Sequence, residues 1–227
     1  MTAISKLLAA SAFALTMGVS SAQATVFIAL QLNNGAIVTV VDIDPDPELA
    51  VFSGGFGTFN VNLVSGSNAG VGNVLLDSTT NNASTNVAGV LDVYVLRNFI
   101  AGPLPAFGYL SSFTTNQLPA GWTVRQRTYA DAANGTFGGG TLLGDVTFNA
   151  SNSAAMQFDA PIAGAGPYSV TTRYTIMASG EGSSLSTITL SSVAIPEPGT
   201  GALMIGGFAG AGAMLRSRRR RSNMLTA

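Results

Sequence analysis

The feature that most constrains this fold is a series of short runs in which apolar and polar residues alternate. A period of two is typical of β-strands with one buried face. It is clear in the segments TFNVNLV (58–64), VLDVYVL (90–96) and WTVRQRTY (122–129). No long helical period interrupts these runs between Thr25 and Val193. The sequence therefore predicts an all-β chain.

Turn residues separate the runs. Asn33-Asn34-Gly35 lies between TVFIALQL (25–32) and AIVTVV (36–41), which is a strong hairpin signal. Glycine- and serine-rich stretches such as SGSNAGVG (65–72) and NGTFGGG (134–140) follow the same pattern. Short strands at this spacing predict a single β-sandwich, jelly-roll-like, that spans residues 25–193. Serine, threonine and asparagine are expected to supply its polar face.

The charges are few and unevenly placed. Charged residues make up only 9% of the 227 residues. All eleven acids lie between Asp42 and Glu197, whereas the segment from Thr25 to Pro198 holds four arginines and no lysine, for a net charge of −7. Nucleic-acid binding needs a basic face, so this acidic body argues against it.

The chain contains no cysteine and no histidine. Without cysteine, the fold has no disulfides to rely on. Without histidine, serine–histidine triads, cysteine–histidine dyads and most zinc sites are excluded. We expect neither an enzyme nor a bound cofactor.

The first 24 residues have the layout of a secretory signal peptide. Lys6 provides a basic start, an apolar run follows from Leu7 to Val19, and Ala22-Gln23-Ala24 is a small-x-small cleavage site. The sequence predicts a signal helix over residues 1–24 and cleavage after Ala24. The mature chain would begin at Thr25.

The C-terminal end has three parts in order. A stalk over residues 194–198 contains Pro196, Glu197 and Pro198, and residues 199–215 form an uncharged run of 17 residues. A helix of that length measures about 25 Å, which is at the low end for a transmembrane segment. The tail over residues 216–227 carries the basic cluster Arg216, Arg218, Arg219, Arg220 and Arg221. By the positive-inside rule, the arginines stay cytoplasmic and the body lies outside the inner membrane.

This arrangement, together with a signal peptide, resembles the PEP-CTERM sorting signal of Gram-negative bacteria. The resemblance covers residues 195–221. It implies that Pro196, Glu197 and Pro198 are recognised by exosortase, a membrane protease-transpeptidase, while residues 199–215 hold the chain transiently in the inner membrane. The basic cluster would be the stop signal. Cleavage near the tripeptide would release the body to the cell surface or the extracellular matrix. The alternative is a plain single-pass anchor with a proline-containing linker.

One acidic stretch is a candidate calcium site. Asp42, Asp44 and Asp46 alternate along an extended chain, which would place three carboxylates on one side. Pro45 and Pro47 prevent a wrapped EF-hand type of loop. The alternative is a solvated, proline-stiffened loop.

Two further sets of residues are candidates for sugar chemistry. A glycosidase needs two converging carboxylates, and such a pair could come from Asp131, Asp145, Asp159 and Glu181, although each lies beside turn residues. A sugar-stacking platform could come from Trp122, Tyr94, Tyr109, Tyr129, Tyr168 and Tyr174, although aromatic residues of a sandwich are more often core. The sequence thus favours an exported, non-enzymatic surface or exopolysaccharide-matrix protein with a structural or adhesive role. A lectin-like carbohydrate-binding module and a secreted hydrolase are the alternatives.

Overall fold

The computed structural model describes residues 24–40, 42, 44, 46–66, 74–100, 107–137, 139–158 and 167–194. Within these ranges no helix has the length and apolar composition needed to cross a membrane. The predicted signal helix, apart from Ala24, and the predicted sorting signal lie outside the described residues. The strands are β1 (Thr25–Leu32), β2 (Val38–Thr39), β3 (Leu49–Phe56), β4 (Phe59–Gly66), β5 (Val74–Thr85), β6 (Gly89–Ile100), β7 (Phe107–Gln117), β8 (Thr123–Asp131), β9 (Thr141–Phe148), β10 (Asn152–Phe158), β11 (Tyr168–Ala178) and β12 (Gly182–Ala194).

These strands form two six-stranded antiparallel sheets. The front sheet has the order β2-β1-β6-β11-β8-β9, and the back sheet has the order β10-β7-β12-β5-β4-β3. Buried residues from both sheets form one apolar cluster between them. The prediction of an all-β sandwich is confirmed.

Strands β5 to β12 pair in a nested way. β5 lies beside β12, β6 beside β11, β7 beside β10 and β8 beside β9. β5, β6, β7 and β8 alternate between the two sheets, and so do β9, β10, β11 and β12. This segment therefore folds like one long hairpin wrapped over both sheets. β1 and β2 extend the front sheet beyond β6, whereas β3 and β4 extend the back sheet beyond β5.

The predicted alternation is visible in the burial of β4. Phe59, Val61 and Leu63 are buried in the core, whereas Asn60 and Asn62 are exposed. A step of one residue along a strand reverses the face, so this pattern fixes which side of the back sheet is outward.

The predicted β1–β2 hairpin is also present. Asn33 and Asn34 have φ angles of 49° and 58°, as a tight turn with two left-handed residues requires. β2 comprises only Val38 and Thr39, which is shorter than the apolar run in the sequence.

Polar side chains occupy part of the space between the sheets. The Tyr174 hydroxyl is paired with the Ser78 hydroxyl, and the Ser111 and Thr128 hydroxyls lie 2.6 Å apart. Gln126, fully buried, donates to the Thr115 hydroxyl over 3.0 Å. Serine and threonine therefore do more than supply an outer polar face. Some of them lie between the sheets, where their hydroxyl groups form hydrogen bonds with side chains of the opposite sheet.

Candidate functional site

A groove of about 690 Å³ lies at one end of the back sheet. Its lining combines hydroxyl and amide side chains with a short apolar segment. The lining residues are Thr58, Asn60, Ser84, Thr85, Asn86, Gln117, Leu118, Pro119, Glu181, Gly182 and Ser183.

Strand register aligns the polar groups of this groove. Asn60 of β4 lies opposite Ser84 of β5, which lies opposite Ser183 of β12. All three are on the outward face, because the next pair along, Phe59 and Thr85, is buried. From β7, Gln117 donates its side-chain amide to the Ser183 hydroxyl over 2.9 Å. Four strands thus supply one row of donors and acceptors.

The segment after β7 gives the groove an apolar wall. Leu118 and Pro119 line it, and the Trp122 backbone N–H donates to the Pro119 carbonyl over 3.1 Å. At Gly182 a Cβ atom would lie 2.7 Å from Pro119 Cγ and 3.2 Å from Trp122 Cε2. Glycine at this position is therefore what lets β12 begin so close to the wall.

The lining contains one carboxylate, Glu181. Serine, threonine, asparagine and glutamine both donate and accept hydrogen bonds, as do the hydroxyl groups of sugars. The groove is chemically suited to an uncharged polyhydroxylated ligand.

A second chemical feature lies on the outward face of the front sheet. Arg125 and Arg127 of β8 and Arg173 of β11 all reside there, and Arg173 is directly opposite Arg127 in the strand register. Three of the four arginines between residues 25 and 198 therefore share one face. We call Arg125, Arg127 and Arg173 the arginine cluster.

Arg173 is neutralised by a buried acid. Its Nε donates to Asp92 Oδ1 over 3.0 Å, and Asp92 is only 1% exposed. Its guanidinium also lies 4.8 Å from the centre of the Tyr94 ring. Burial opposes the charged form, but the hydrogen bond and charge of Asp92 outweigh it, so the pKa of Arg173 lies above its ordinary value.

Arg125 is neutralised by Asp145 of β9. Its Nε donates to Asp145 Oδ1 over 2.8 Å, and its Nη2 donates to the other carboxylate oxygen. The hydrogen bonds from Arg125 hold the pKa of Asp145 below its ordinary value, and the charges of Arg125 and Arg127 act in the same direction.

A turn after β8 covers part of this face. The Phe137 ring packs edge-on against Tyr94, with ring centres 6.0 Å apart. Asn134 accepts a hydrogen bond from the Phe99 N–H over 2.8 Å. Phe99 and Phe137 have φ angles of 50° and 42°, a left-handed conformation that costs free energy for residues other than glycine. Tyr94 is consequently buried although it points outward, and that burial raises its pKa.

The predicted calcium residues engage their own backbone. Asp42 Oδ1 accepts from the N–H groups of Asp44 and Val51 at 3.0 and 2.8 Å. Asp44 and Asp46 each accept from the N–H group two residues further on, at 2.9 Å. Within the described part of the chain, no group of three or more aspartate, glutamate, histidine or cysteine residues is placed to hold a metal ion.

The structure separates the acids considered for catalysis. Asp131 accepts from the N–H groups of Ala133 and Gly135 in a turn, Asp145 pairs with Arg125 and Glu181 lines the groove of the other sheet. Asp159 lies outside the described residues.

The aromatic candidates do not form an exposed platform. Trp122, Tyr109, Tyr168 and Tyr174 are buried between the sheets, and Tyr94 is covered as described above. Tyr129 is half-buried.

Sequence reasoning missed both the groove and the arginine cluster. The alternation of Arg125 and Arg127 on one strand was a usable signal, because residues two apart share a face. Nothing in the sequence places Arg173 beside them, and the groove depends on the register of four strands.

No family model and no curated protein matches this chain. Among solved structures, it is similar to a Stig cyclase from Fischerella sp. TAU, at 9% identity and a TM-score of 0.34, over 67% of this chain and 88% of that one. It is similar to the K1 cleaved adhesin domain of Lys-gingipain from Porphyromonas gingivalis W83, at 15% identity and a TM-score of 0.30, over 73% and 90%. It is also similar to a family 11 carbohydrate-binding module from Clostridium thermocellum, at 10% identity and a TM-score of 0.30, over 74% and 97%. Similarities this distant assign neither a family nor a function.

Proposed function

We propose that this chain is an exported protein of the cell surface or exopolysaccharide matrix, delivered by its PEP-CTERM-like signal. Its β-sandwich is a structural, adhesive module that binds polysaccharide through the groove. The signal peptide and the ordered C-terminal trio around Pro196-Glu197-Pro198 support the location. Exosortase is then the processing partner, and the inner membrane holds the chain only in transit.

The observation that carries the binding role is the row of hydroxyl and amide groups across four strands. Asn60, Ser84, Ser183 and Gln117 present a line of donors and acceptors beside the apolar wall of Leu118 and Pro119. A sugar ring has hydroxyl groups at its rim and apolar faces, so it complements both parts. A neutral polysaccharide fits better than a charged one, because the lining has one carboxylate and no cation.

We also propose that the module is not an enzyme. Glycoside hydrolysis requires a pair of carboxyl groups about 5–10 Å apart. The groove lining contains only one carboxylate, that of Glu181. A secreted hydrolase is therefore less well supported than a binding module.

The nested pairing of β5 to β12 supports assigning this part of the sandwich to the jelly-roll topology, which consists of two four-stranded sheets. In this assignment β1 to β4 are additions at the edges of the two sheets. The topology by itself implies no function.

The binding role is tested by affinity electrophoresis of the purified protein in gels that contain neutral polysaccharides of different linkage. A polysaccharide that retards the protein is then titrated against the double variant Asn60→Ala/Gln117→Ala. We expect affinity to fall at least about fivefold, because two hydrogen bonds to ligand are worth about 1–3 kcal/mol together. The matched control is Ser153→Ala/Thr147→Ala, which alters exposed strand residues outside the groove. Equal affinity of the two double variants, or no retardation in any gel, would refute the groove as a binding site.

The location is tested by the mass of the protein recovered from membrane and secreted fractions of its native cells. Loss of residues 1–24 and of the tail from near Pro196 is the expected result. A retained tail in the membrane fraction would identify a plain anchor instead.

A further inference from the structure

The groove is longer across the strands than along them. Its lining residues fall within three consecutive positions at one end of each of four strands, which are residues 58–60, 84–86, 117–119 and 181–183. Three consecutive strand residues span about 7 Å along a strand, whereas four neighbouring strands span about 14 Å from the first to the last. The four strands are neighbours in the order β7-β12-β5-β4. A long ligand therefore fits the groove when it lies across the strands.

The polar row of the groove has a defined end on each side. Gly55 of β3 lies opposite Asn60 on the same face, and it provides no side chain with which the row could continue. On the other side, β10 begins at Asn152, opposite Thr115, so no strand of the described residues lies beyond Gln117. The row therefore consists of four positions, one from each strand.

The spacing of these positions matches one class of polysaccharide. Adjacent strands are about 4.8 Å apart, so the row repeats at that distance. A β-1,4-linked chain of glucose, mannose or xylose advances by nearly the same distance per residue, because both linkages leave the ring equatorially and keep the chain extended. An α-1,4-linked chain has an axial linkage, coils, and advances less with each residue. Only the extended chain keeps one sugar residue in line with each strand.

The polar groups of the row retain the capacity to bind such a chain. The Ser183 hydroxyl accepts a hydrogen bond from Gln117 and can still donate one, and the Gln117 amide keeps a second N–H group and its carbonyl oxygen. Adjacent strands are rotated by about 20–25° relative to each other, so the row is twisted. The two torsion angles of each glycosidic linkage allow a single chain to follow that twist.

We infer that the groove binds a linear, neutral β-1,4-linked polysaccharide that lies across the strands, with one sugar residue against each of β4, β5, β12 and β7. This inference rests on the proposed function of the groove. It adds the linkage of the sugar chain, the direction in which the chain lies and the number of residues bound.

The linkage and the number of residues are tested by titration calorimetry of the full-length protein with cello-, manno- and xylo-oligosaccharides of two to six residues. Malto-oligosaccharides of the same lengths are the matched control for the cello-oligosaccharides, because the two series differ only in the configuration of the linkage. At least one β-1,4-linked series should bind. Its affinity should rise at least fivefold from the dimer to the tetramer, since two more residues form hydrogen bonds, and less than twofold from the tetramer to the hexamer.

Three results of this titration would overturn the inference. The first is that none of the three β-1,4-linked series binds. The second is that malto-oligosaccharides bind as tightly as the best β-1,4-linked series. The third is an affinity that continues to rise as steeply from the tetramer to the hexamer as it does from the dimer to the tetramer.

Two substitutions test the direction of the chain. Asn60 is at one end of the row and Ser84 is inside it. Asn60→Ala should lower the affinity for the tetramer at least threefold more than the affinity for the trimer, because a trimer can occupy the other three positions. Ser84→Ala should weaken both oligomers by similar factors, since each must cross β5. Near-ultraviolet circular dichroism checks that both variants are folded. Equal weakening of trimer and tetramer by Asn60→Ala would overturn the placement across the strands.

Failure of this inference is distinguishable from failure of the proposed function. A neutral polysaccharide of another linkage that binds the protein, and binds more weakly to Asn60→Ala/Gln117→Ala, would overturn the β-1,4 linkage and support the groove as a binding site. Absence of binding by every neutral polysaccharide would overturn both.

Discussion

The close approach of the two sheets at Gly144 makes a sharp test of the sandwich packing. Gly144 lies in β9 of the front sheet and faces Phe113 of the back sheet. A Cβ atom at this position would lie 2.8 Å from Phe113 Cζ, 3.0 Å from Phe113 Cε2 and 3.1 Å from Ser111 Cβ. Phe113 is fully buried and cannot swing into solvent. The added methyl group must therefore push the sheets apart or force a strained rotamer.

Gly144→Ala should lower the free energy of unfolding by about 1–3 kcal/mol, which is the usual cost of overpacking a core. For a domain of this size that corresponds to a fall in Tm of about 2–12 °C. The matched control is Gly180→Ala, because no atom lies within 4 Å of a Cβ there. It should be neutral or slightly stabilising, since alanine has fewer unfolded conformations than glycine.

Urea unfolding followed by tryptophan fluorescence suits the measurement, because Trp122 is the chain's one tryptophan and is buried in the core. In the double variant Gly144→Ala/Phe113→Leu, the smaller side chain should recover part of the loss caused by the methyl group. If Gly144→Ala and Gly180→Ala unfold at the same urea concentration, the sheets are not in contact at β9. The assignment of outward faces, on which the proposed groove depends, would then need revision.

Three other predictions concern individual hydrogen bonds. Tyr174→Phe and Ser78→Ala should each lower the free energy of unfolding by about 1–2 kcal/mol, because each change leaves a buried hydroxyl without its partner. The double variant should lose less than the sum of the two. Chemical denaturation of the unmodified protein and the three variants measures these differences. Arg125→Gln should lower the free energy of unfolding by about 0.2–1 kcal/mol at pH 7. Arg125 lowers the pKa of Asp145, so the ion pair stabilises the fold fully above the ordinary aspartate pKa of 3.8, and this stabilisation is lost as the pH falls through the folded-state pKa. The Tm values of the unmodified protein and of Arg125→Gln, measured against pH, should therefore converge in acid. Asp42→Ala should lower the free energy of unfolding by about 1 kcal/mol, because Asp42 Oδ1 accepts hydrogen bonds from two backbone N–H groups. Asp42→Asn keeps an oxygen at that position and should lower it less. Thermal melts of the two variants measure the difference.

The parts of the fold that the sequence predicts are those with local causes. The β1–β2 hairpin follows from Asn33-Asn34-Gly35, because two adjacent left-handed residues favour a tight turn. The faces of β4 follow from strict alternation around Phe59 and Val61. The edge strand β3 carries no such signal, since Gly54 and Gly55 interrupt it.

The sites depend on contacts between residues far apart in the chain. Tyr174 and Ser78 are 96 residues apart, so alternation cannot reveal that a buried serine has a partner. The polar row of the groove requires the registers of β4, β5, β7 and β12 together. Likewise, the arginine cluster appears only when β11 is placed beside β8.

The back-to-back arrangement of the two sheets has a mechanical consequence. The groove opens on the outward face of the back sheet, so a polysaccharide bound there covers one face of the sandwich and leaves the outward face of the front sheet uncovered. The uncovered face is separated from the bound chain by little more than the spacing of two packed sheets, which is about 10 Å. Such a protein would coat a polysaccharide strand and would not by itself join two strands. The elastic modulus of a neutral polysaccharide gel should therefore not rise as the protein is added.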